Sequence, residues 1–263
     1  MKTMLNLKIE NDLNIKNQKI IFIIGSGRSG TNWIGEILKN NPQIKVTIEI
    51  PKIFWKVTEI ALNQNKYNKL FPKLIKEYQK QLRLCYPYHY MDKSHPNIWI
   101  AEELNKIFDN ARFIGIVRNP YATVSSMLQH RGVLEWHKNW ERYPIPNKFL
   151  GINKEITAYY DTLTLSEKCI LRWISHYKEM NRLKTKLGSN LLVINYEDLF
   201  VDEVKILTKI KEFLELKTPL YIEELKKESL DKWKKYLSKE QVDNISNMLA
   251  KYDIELGKPY KFI

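Results

Sequence analysis

The junction that most restricts the fold of this chain is a short apolar run, Ile20-Ile-Phe-Ile-Ile24, that empties directly into Gly25-Ser-Gly-Arg-Ser-Gly-Thr31. An unbroken apolar run of this length, closed by glycines, suits a strand buried on both faces of a parallel sheet. Behind it, Trp33, Ile34, Ile37 and Leu38 recur on one helical face, so the spacing predicts strand, tight turn, helix. The same alternation continues down the chain. Two helices are expected between Pro51 and Leu84, the second over about 68–84. A strand is expected over Tyr88–Met91, a helix over Ile98–Phe108, and a strand over Arg112–Val117 ending in Arg-Asn-Pro before a helix over Tyr121–Gln129. Beyond a long aromatic stretch, Arg131–Leu165, come a helix over Ser166–Leu187, a strand over Leu191–Ile194 and a helix reaching about Leu216. Lys217–Ser238 reads as a lysine-rich loop. Strands alternating with helices imply an α/β fold with a central parallel sheet and helices on both faces, its ligands at the carboxyl ends of the strands.

Length and composition bound what this fold does. With 263 residues, 44% apolar and 28% charged, the chain can bury one core, so a single domain is expected over 20–263 behind an extension of residues 1–19. No apolar stretch approaches the roughly 20 residues of a membrane span, and Met1–Lys19 lacks the apolar centre of a signal peptide. The cytoplasm is the expected compartment. Cys85 and Cys169 stand far apart, outside any Cys/His cluster that would hold zinc, and are read as reduced core thiols. The net charge of +13 would attract anions. Acids dilute the lysines nearly everywhere, however, so nucleic acid is not the expected partner. Nothing in the composition opposes a homo-oligomer.

Where a strand feeds a helix through glycines, backbone N–H groups and the helix start converge on a phosphate or sulfate. Gly25 and Gly30 have P-loop spacing, which makes the fold P-loop NTPase-like, but Thr31-Asn32 replaces the Lys-Ser/Thr pair of that motif. The phosphate lysine is absent, and Arg28 inside the turn is the cation that substitutes. A kinase or NTPase would also place a magnesium-binding acid at a neighbouring strand end. Here Arg118 ends that strand instead. Two arginines without such an acid suit an anionic nucleotide bound without a metal.

In four separated segments the chain resembles the sulfotransferases that use 3′-phosphoadenosine 5′-phosphosulfate (PAPS). Arg28-Ser-Gly-Thr-Asn-Trp33 resembles the family's 5′-phosphosulfate loop, which implies nucleotide contacts for Gly27, Arg28, Ser29, Gly30, Thr31, Asn32 and Trp33. Arg118 with Ser126 resembles the 3′-phosphate motif. Asn195-Tyr-Glu-Asp-Leu199 resembles the late strand end at which Tyr196 approaches the nucleotide, and Lys226-Lys227 begins a segment resembling the loop that closes over it. That segment departs from the cytosolic pattern, because Glu228 stands where glycine is usual. The resemblance implies PAPS as donor, adenosine 3′,5′-bisphosphate as product, no required metal, and an acceptor bearing a hydroxyl or amine on a small molecule, glycan or peptide.

Sulfuryl transfer by in-line displacement needs a base for the acceptor's proton and cations on the leaving side. Glu49 is placed like the catalytic Glu of tyrosylprotein sulfotransferases, with its pKa expected to rise in a desolvated crevice. His95, in Lys93-Ser-His95, resembles the base of the cytosolic enzymes. Lys93 fits both branches as the cation on the leaving phosphate, and Arg28 belongs to the same catalytic set. The stretch 131–165, with Trp136, His137, Trp140, Phe149, Tyr159 and Tyr160, suits a lid over the acceptor. The alternatives are a nucleotide or small-molecule kinase with a degenerate P-loop, which would depend on magnesium, and a non-catalytic binder of nucleic acid or a phosphorylated partner, which would lose affinity steeply with salt.

Overall fold

A computed structural model describes residues 17–222 and 227–256. Five parallel strands form its one sheet: β1 (Ile20–Gly25), β2 (Ile44–Ile48), β3 (His89–Lys93), β4 (Ala111–Val117) and β5 (Leu191–Asn195), in the spatial order β2-β3-β1-β4-β5. β1 is buried along its whole length, as its unbroken apolar run requires. The chain leaves β1 for the β2 edge, returns to β3, and only then crosses to β4 on the other side. The carboxyl ends of β3, β1 and β4 therefore surround the point at which strand order reverses, where ligands of such sheets sit.

The helices are α1 (Thr31–Lys39), α2 (Pro51–Leu62), α3 (Tyr67–Cys85), α4 (Ala101–Ile107), α5 (Pro120–Leu128), α6 (Arg131–Lys138), α7 (Leu165–Leu187), α8 (Glu203–Leu214) and α9 (Lys239–Lys251), with shorter turns between them. Pairing of β-strand side chains to alternate faces gives two cores. Ile21, Ile23, Met91, Ile114 and Ile116 pack under α1 and α8, while Phe22, Tyr90 and Phe113 pack under α3, α5 and α7 on the opposite face. The α/β architecture with helices on both faces is as expected. No helix among the described residues is long and apolar enough to cross a membrane.

Two elements differ from the sequence reading. Ile44–Ile48 forms β2, an edge strand whose alternating Ile-Lys-Val-Thr-Ile is short and half-polar, a weak signal beside the fully apolar β1. The stretch 131–165 is partly regular and partly packed into the core. It opens as α6, and Trp140, Phe149 and Tyr160 are buried in the larger core, because aromatic residues in a long connection bury their surface wherever the sheet leaves room. The N-terminal side of the stretch alone reaches the cavity described next.

Candidate active site

The turn after β1 is shaped by backbone that ordinary residues avoid. Arg28 has φ of 77° and Gly30 of 94°, and a Cβ on Gly30 would collide with the Tyr196 ring. Glycine at position 30 lets the loop lie directly on that ring. Ser29 is buried, and its hydroxyl donates to the carbonyl of Ser26 at 2.6 Å. It fastens the loop to itself and does not face outward.

Above this loop is a cavity of about 410 Å³, lined by Gly27, Arg28, Gly30, Thr31, Asn32 and Trp33, and beyond them by Glu49, Lys93, His95, Arg118 and Ser126. Most residues singled out in the sequence thus meet at one place, from five different elements and their ends. Arg28 Nε donates to Ser126 Oγ at 3.0 Å, so α5 does return that serine to the loop. Arg118 lies over the Tyr196 ring at 4.4 Å and donates from Nη2 to the carbonyl of Ser229 at 2.7 Å, leaving its Nε buried without a partner. Tyr196 packs beneath the loop, edge-on to Trp33 at 5.5 Å, and is a support under the cavity rather than part of its wall. Lys227 is exposed beside the turn that carries Ser229; Lys226 lies outside the described residues.

The register of the sheet brings the two candidate bases together. Ile48 pairs with Lys93, so the residues just past β2 and β3 are neighbours. Glu49, at φ 48°, accepts on one oxygen, Oε1, from Lys93 Nζ and lies 3.4 Å from His95 Nδ1. The Glu49 side chain is one-third exposed, whereas His95 is buried with Nε2 unpartnered and 2.9 Å from where a Cβ on Gly27 would stand. The absence of a side chain at Gly27 lets the imidazole lie close against the loop.

The electrostatics correct one expectation. Burial pushes the Glu49 pKa up, but the hydrogen bond from His95 and the ion pair with Lys93 outweigh it and hold the carboxyl down to about 2. Burial lowers His95 to about 4 against the pull of Glu49. Lys93 is likewise lowered by burial, with Glu49 opposing. At neutral pH the trio is an ammonium, a carboxylate and a neutral imidazole. Glu49 is the single acid among the described residues lining the cavity, facing Arg28, Lys93, Arg118 and Arg172. No group of three or more metal-ligating side chains occurs among the described residues.

The sequence reading missed Phe54, His130, Gly132, Val133 and Arg172 in the wall. Arg172 alone left a signal, a charge three residues after Cys169 and four before His176 on the buried stripe of α7.

Residues 21–219 match the profile of a family described as the sulfotransferase family. In fold the chain is similar to the sulfotransferase domain from the curacin biosynthetic pathway, with a TM-score of 0.57 and 15% identity over 91% of this chain and 99% of that one. It is similar also to the sulfotransferase domain from the Synechococcus PCC 7002 olefin synthase, at 0.56 and 18% over 91% and 96% of the two chains. For a sulfotransferase from Alicyclobacillus acidocaldarius the values are 0.51 and 14% over 91% and 97%. No curated protein matches the sequence.

Proposed function

The chain belongs to the sulfotransferase family, and we propose from that premise that it moves a sulfuryl group from PAPS to a hydroxyl or amine of its acceptor. One observation carries the reading: Arg28 and Arg118, at the ends of adjacent strands, line the same cavity as the Lys93–Glu49 pair. Guanidinium groups suit bidentate binding of phosphate oxygens. In this reading the loop amides of 27–32 and Arg28 take the 5′-phosphosulfate, Trp33 the adenine, and Arg118 with Ser126 the 3′-phosphate. Tyr196 holds Arg118 in place by stacking, Ser29 holds the loop, and Lys227 adds positive charge on the 3′ side.

Glu49 is the base. It has an accessible side chain, while His95 Nε2 is pressed against Gly27. The acceptor oxygen bonds to sulfur in line with the breaking bond to the 5′-phosphate oxygen, its proton passes to Glu49, and adenosine 3′,5′-bisphosphate leaves. Lys93 neutralises charge on that leaving oxygen. As Lys93 turns from Glu49 to the phosphate, the carboxylate loses the ion pair that held its pKa down, so it becomes a stronger base at the moment a proton is released. His95 is a positioning residue that fixes Glu49.

Thermal-shift measurements in EDTA with adenosine 3′,5′-bisphosphate, AMP and ATP test the donor assignment. The bisphosphate alone is expected to stabilise the chain strongly, and Arg118→Ala to weaken its binding by about 1.5–3 kcal/mol, the worth of a charged hydrogen bond. Equal responses to the three nucleotides, or a response to ATP that returns only with magnesium, would overturn it.

A further inference from the structure

Among the described residues Arg172 is the largest fully buried side chain, and no carboxylate pairs with it. Its guanidinium lies 4.6 Å from the centre of the Phe149 ring and 5.6 Å from that of Trp136. Nη1 reaches only the Met127 sulfur, at 3.8 Å. Nε and Nη2 have no hydrogen-bond partner. His95, His137 and His176 surround it, all with pKa values lowered by burial and by the charge of Arg172. The groups that favour its charge are the Cys169 thiol and the Tyr160 phenol, and burial pushes both up, so neither is ionised at neutral pH. Guanidinium keeps its proton in proteins. A full positive charge therefore sits among aromatic rings and neutral imidazoles, an arrangement that is costly until an anion completes it.

Two further facts say which anion. Arg172 belongs to the wall of the cavity that holds Glu49, Lys93 and His95, next to Trp136 of α6. Its two unpartnered nitrogens, Nε and Nη2, form the side-on fork of the guanidinium, whose parallel N–H bonds match the two oxygens of a carboxylate. We propose that Arg172 anchors a carboxylate of the acceptor, so that the substrates are hydroxyl- or amine-bearing carboxylic acids whose acid end lies under α6 while the nucleophile faces Glu49. Neither nitrogen is open to solvent, so side chains packed around the guanidinium, Trp136 and Phe149 among them, shift as the carboxylate enters. The assignment of an acceptor to this cavity rests on the sulfuryl-transfer reading above.

Acetate is the minimal probe, with acetamide and chloride at equal ionic strength as controls, on the full chain saturated with adenosine 3′,5′-bisphosphate to block the phosphate loop. Acetate is expected to raise the melting temperature where acetamide and chloride do not, with an apparent affinity at least about tenfold above that of acetamide, the scale of a charged hydrogen bond. Arg172→Met should abolish that difference and melt no lower than wild type, since an apolar side chain of similar length replaces an unpaired buried charge. Equal responses to acetate and acetamide in wild type, or an acetate preference that survives in Arg172→Met, overturn the proposal. If Arg172→Met does not fold, Arg172→Lys decides, because it keeps the charge and loses the fork: a preference reduced severalfold supports the proposal and an undiminished one overturns it. The donor reading fails separately. A chain stabilised equally by AMP and the bisphosphate, yet selecting acetate through Arg172, loses the donor assignment and keeps the carboxylate site at Arg172, no longer as an acceptor site.

Discussion

Two polar networks lie back to back on β3, and they differ in whether they are complete. Asp92 and Lys93 are consecutive, both essentially inaccessible, and strand geometry sends them to opposite faces. Asp92 points into the larger core, where Thr47, Tyr78, Ser94 and Asn97 all donate to it at 3.0–3.3 Å. Every lone-pair direction of that carboxylate is engaged from within the chain. Lys93 donates to Glu49, which in turn meets His95. Around that second network His95 Nε2, Arg118 Nε and two nitrogens of Arg172 remain unpartnered. Burying polar groups is unfavourable in both places. The self-contained network ties β3 to β2 and α3 and serves the fold, whereas the open one leaves polar atoms that the proposed function would give to a ligand.

The contrast breaks most visibly at Glu49. Glu49→Gln keeps the shape and removes the proton acceptor, so turnover should fall by about 10²–10⁴-fold, the range for a positioned base. Stabilisation by adenosine 3′,5′-bisphosphate should be nearly unchanged, because Arg28 and Arg118 carry that binding in the proposal. Single-turnover assay alongside thermal shift reads both quantities. A variant that still turns over within a fewfold of wild type would mean that the open network does no proton transfer at this carboxylate.

The next effect is thermodynamic, and the two networks should show it with opposite sign. Burial pushes Asp92 up to about 6, although its four hydrogen bonds oppose the shift. An acid whose folded pKa exceeds its unfolded value is easier to bury protonated. Its contribution is therefore most favourable below the ordinary aspartate value of 3.8 and is lost as pH rises through about 6, by about 3 kcal/mol in total. Glu49, held down to about 2, contributes stability that is present above 4.5 and is lost as pH falls through that window. Urea unfolding between pH 4 and 7 should show wild type losing about 2.4 kcal/mol more than Asp92→Asn, since part of the total change falls below pH 4. Parallel curves would mean that Asp92 ionises in the folded chain without penalty, and the claim that its network is structural and costly would go with it.

The same division explains what the sequence made legible. The β1 turn was readable because its signals are local: an apolar run, glycines where the backbone is strained, and a helical stripe behind them. Arg28 and Arg118 were readable as partners because both follow strands, and parallel sheets gather strand ends. The relation of Glu49 to His95 was not readable, since two stretches more than forty residues apart meet only through the pairing of Ile48 with Lys93, and β2 is too short and half-polar to announce itself. Arg172 was passed over because, although Cys169 and His176 share its stripe, an arginine in a helix that also holds Arg182 and four lysines reads as solvated until the packing of Phe149 and Trp136 around it is known.

The smallest expected effect separates the roles of the two former rivals. His95 donates to Glu49 through Nδ1 in the tautomer that leaves Nε2 bare, and this bond is among the causes of the low pKa of Glu49. Removing it with His95→Asn, while Lys93 stays in place, should let that pKa climb by about one to two units, the equivalent of a charged hydrogen bond. The acid limb of kcat/KM should then move to higher pH, with kcat at neutral pH reduced by less than about tenfold, because the carboxylate remains and only its orientation loosens. A purely structural His95 would lower activity without moving the limb. A catalytic imidazole would behave otherwise again: His95→Asn would match Glu49→Gln in turnover and remove the limb altogether, and the proton would then have to leave through the nitrogen now pressed against Gly27, which requires the phosphate loop to draw back when the donor binds.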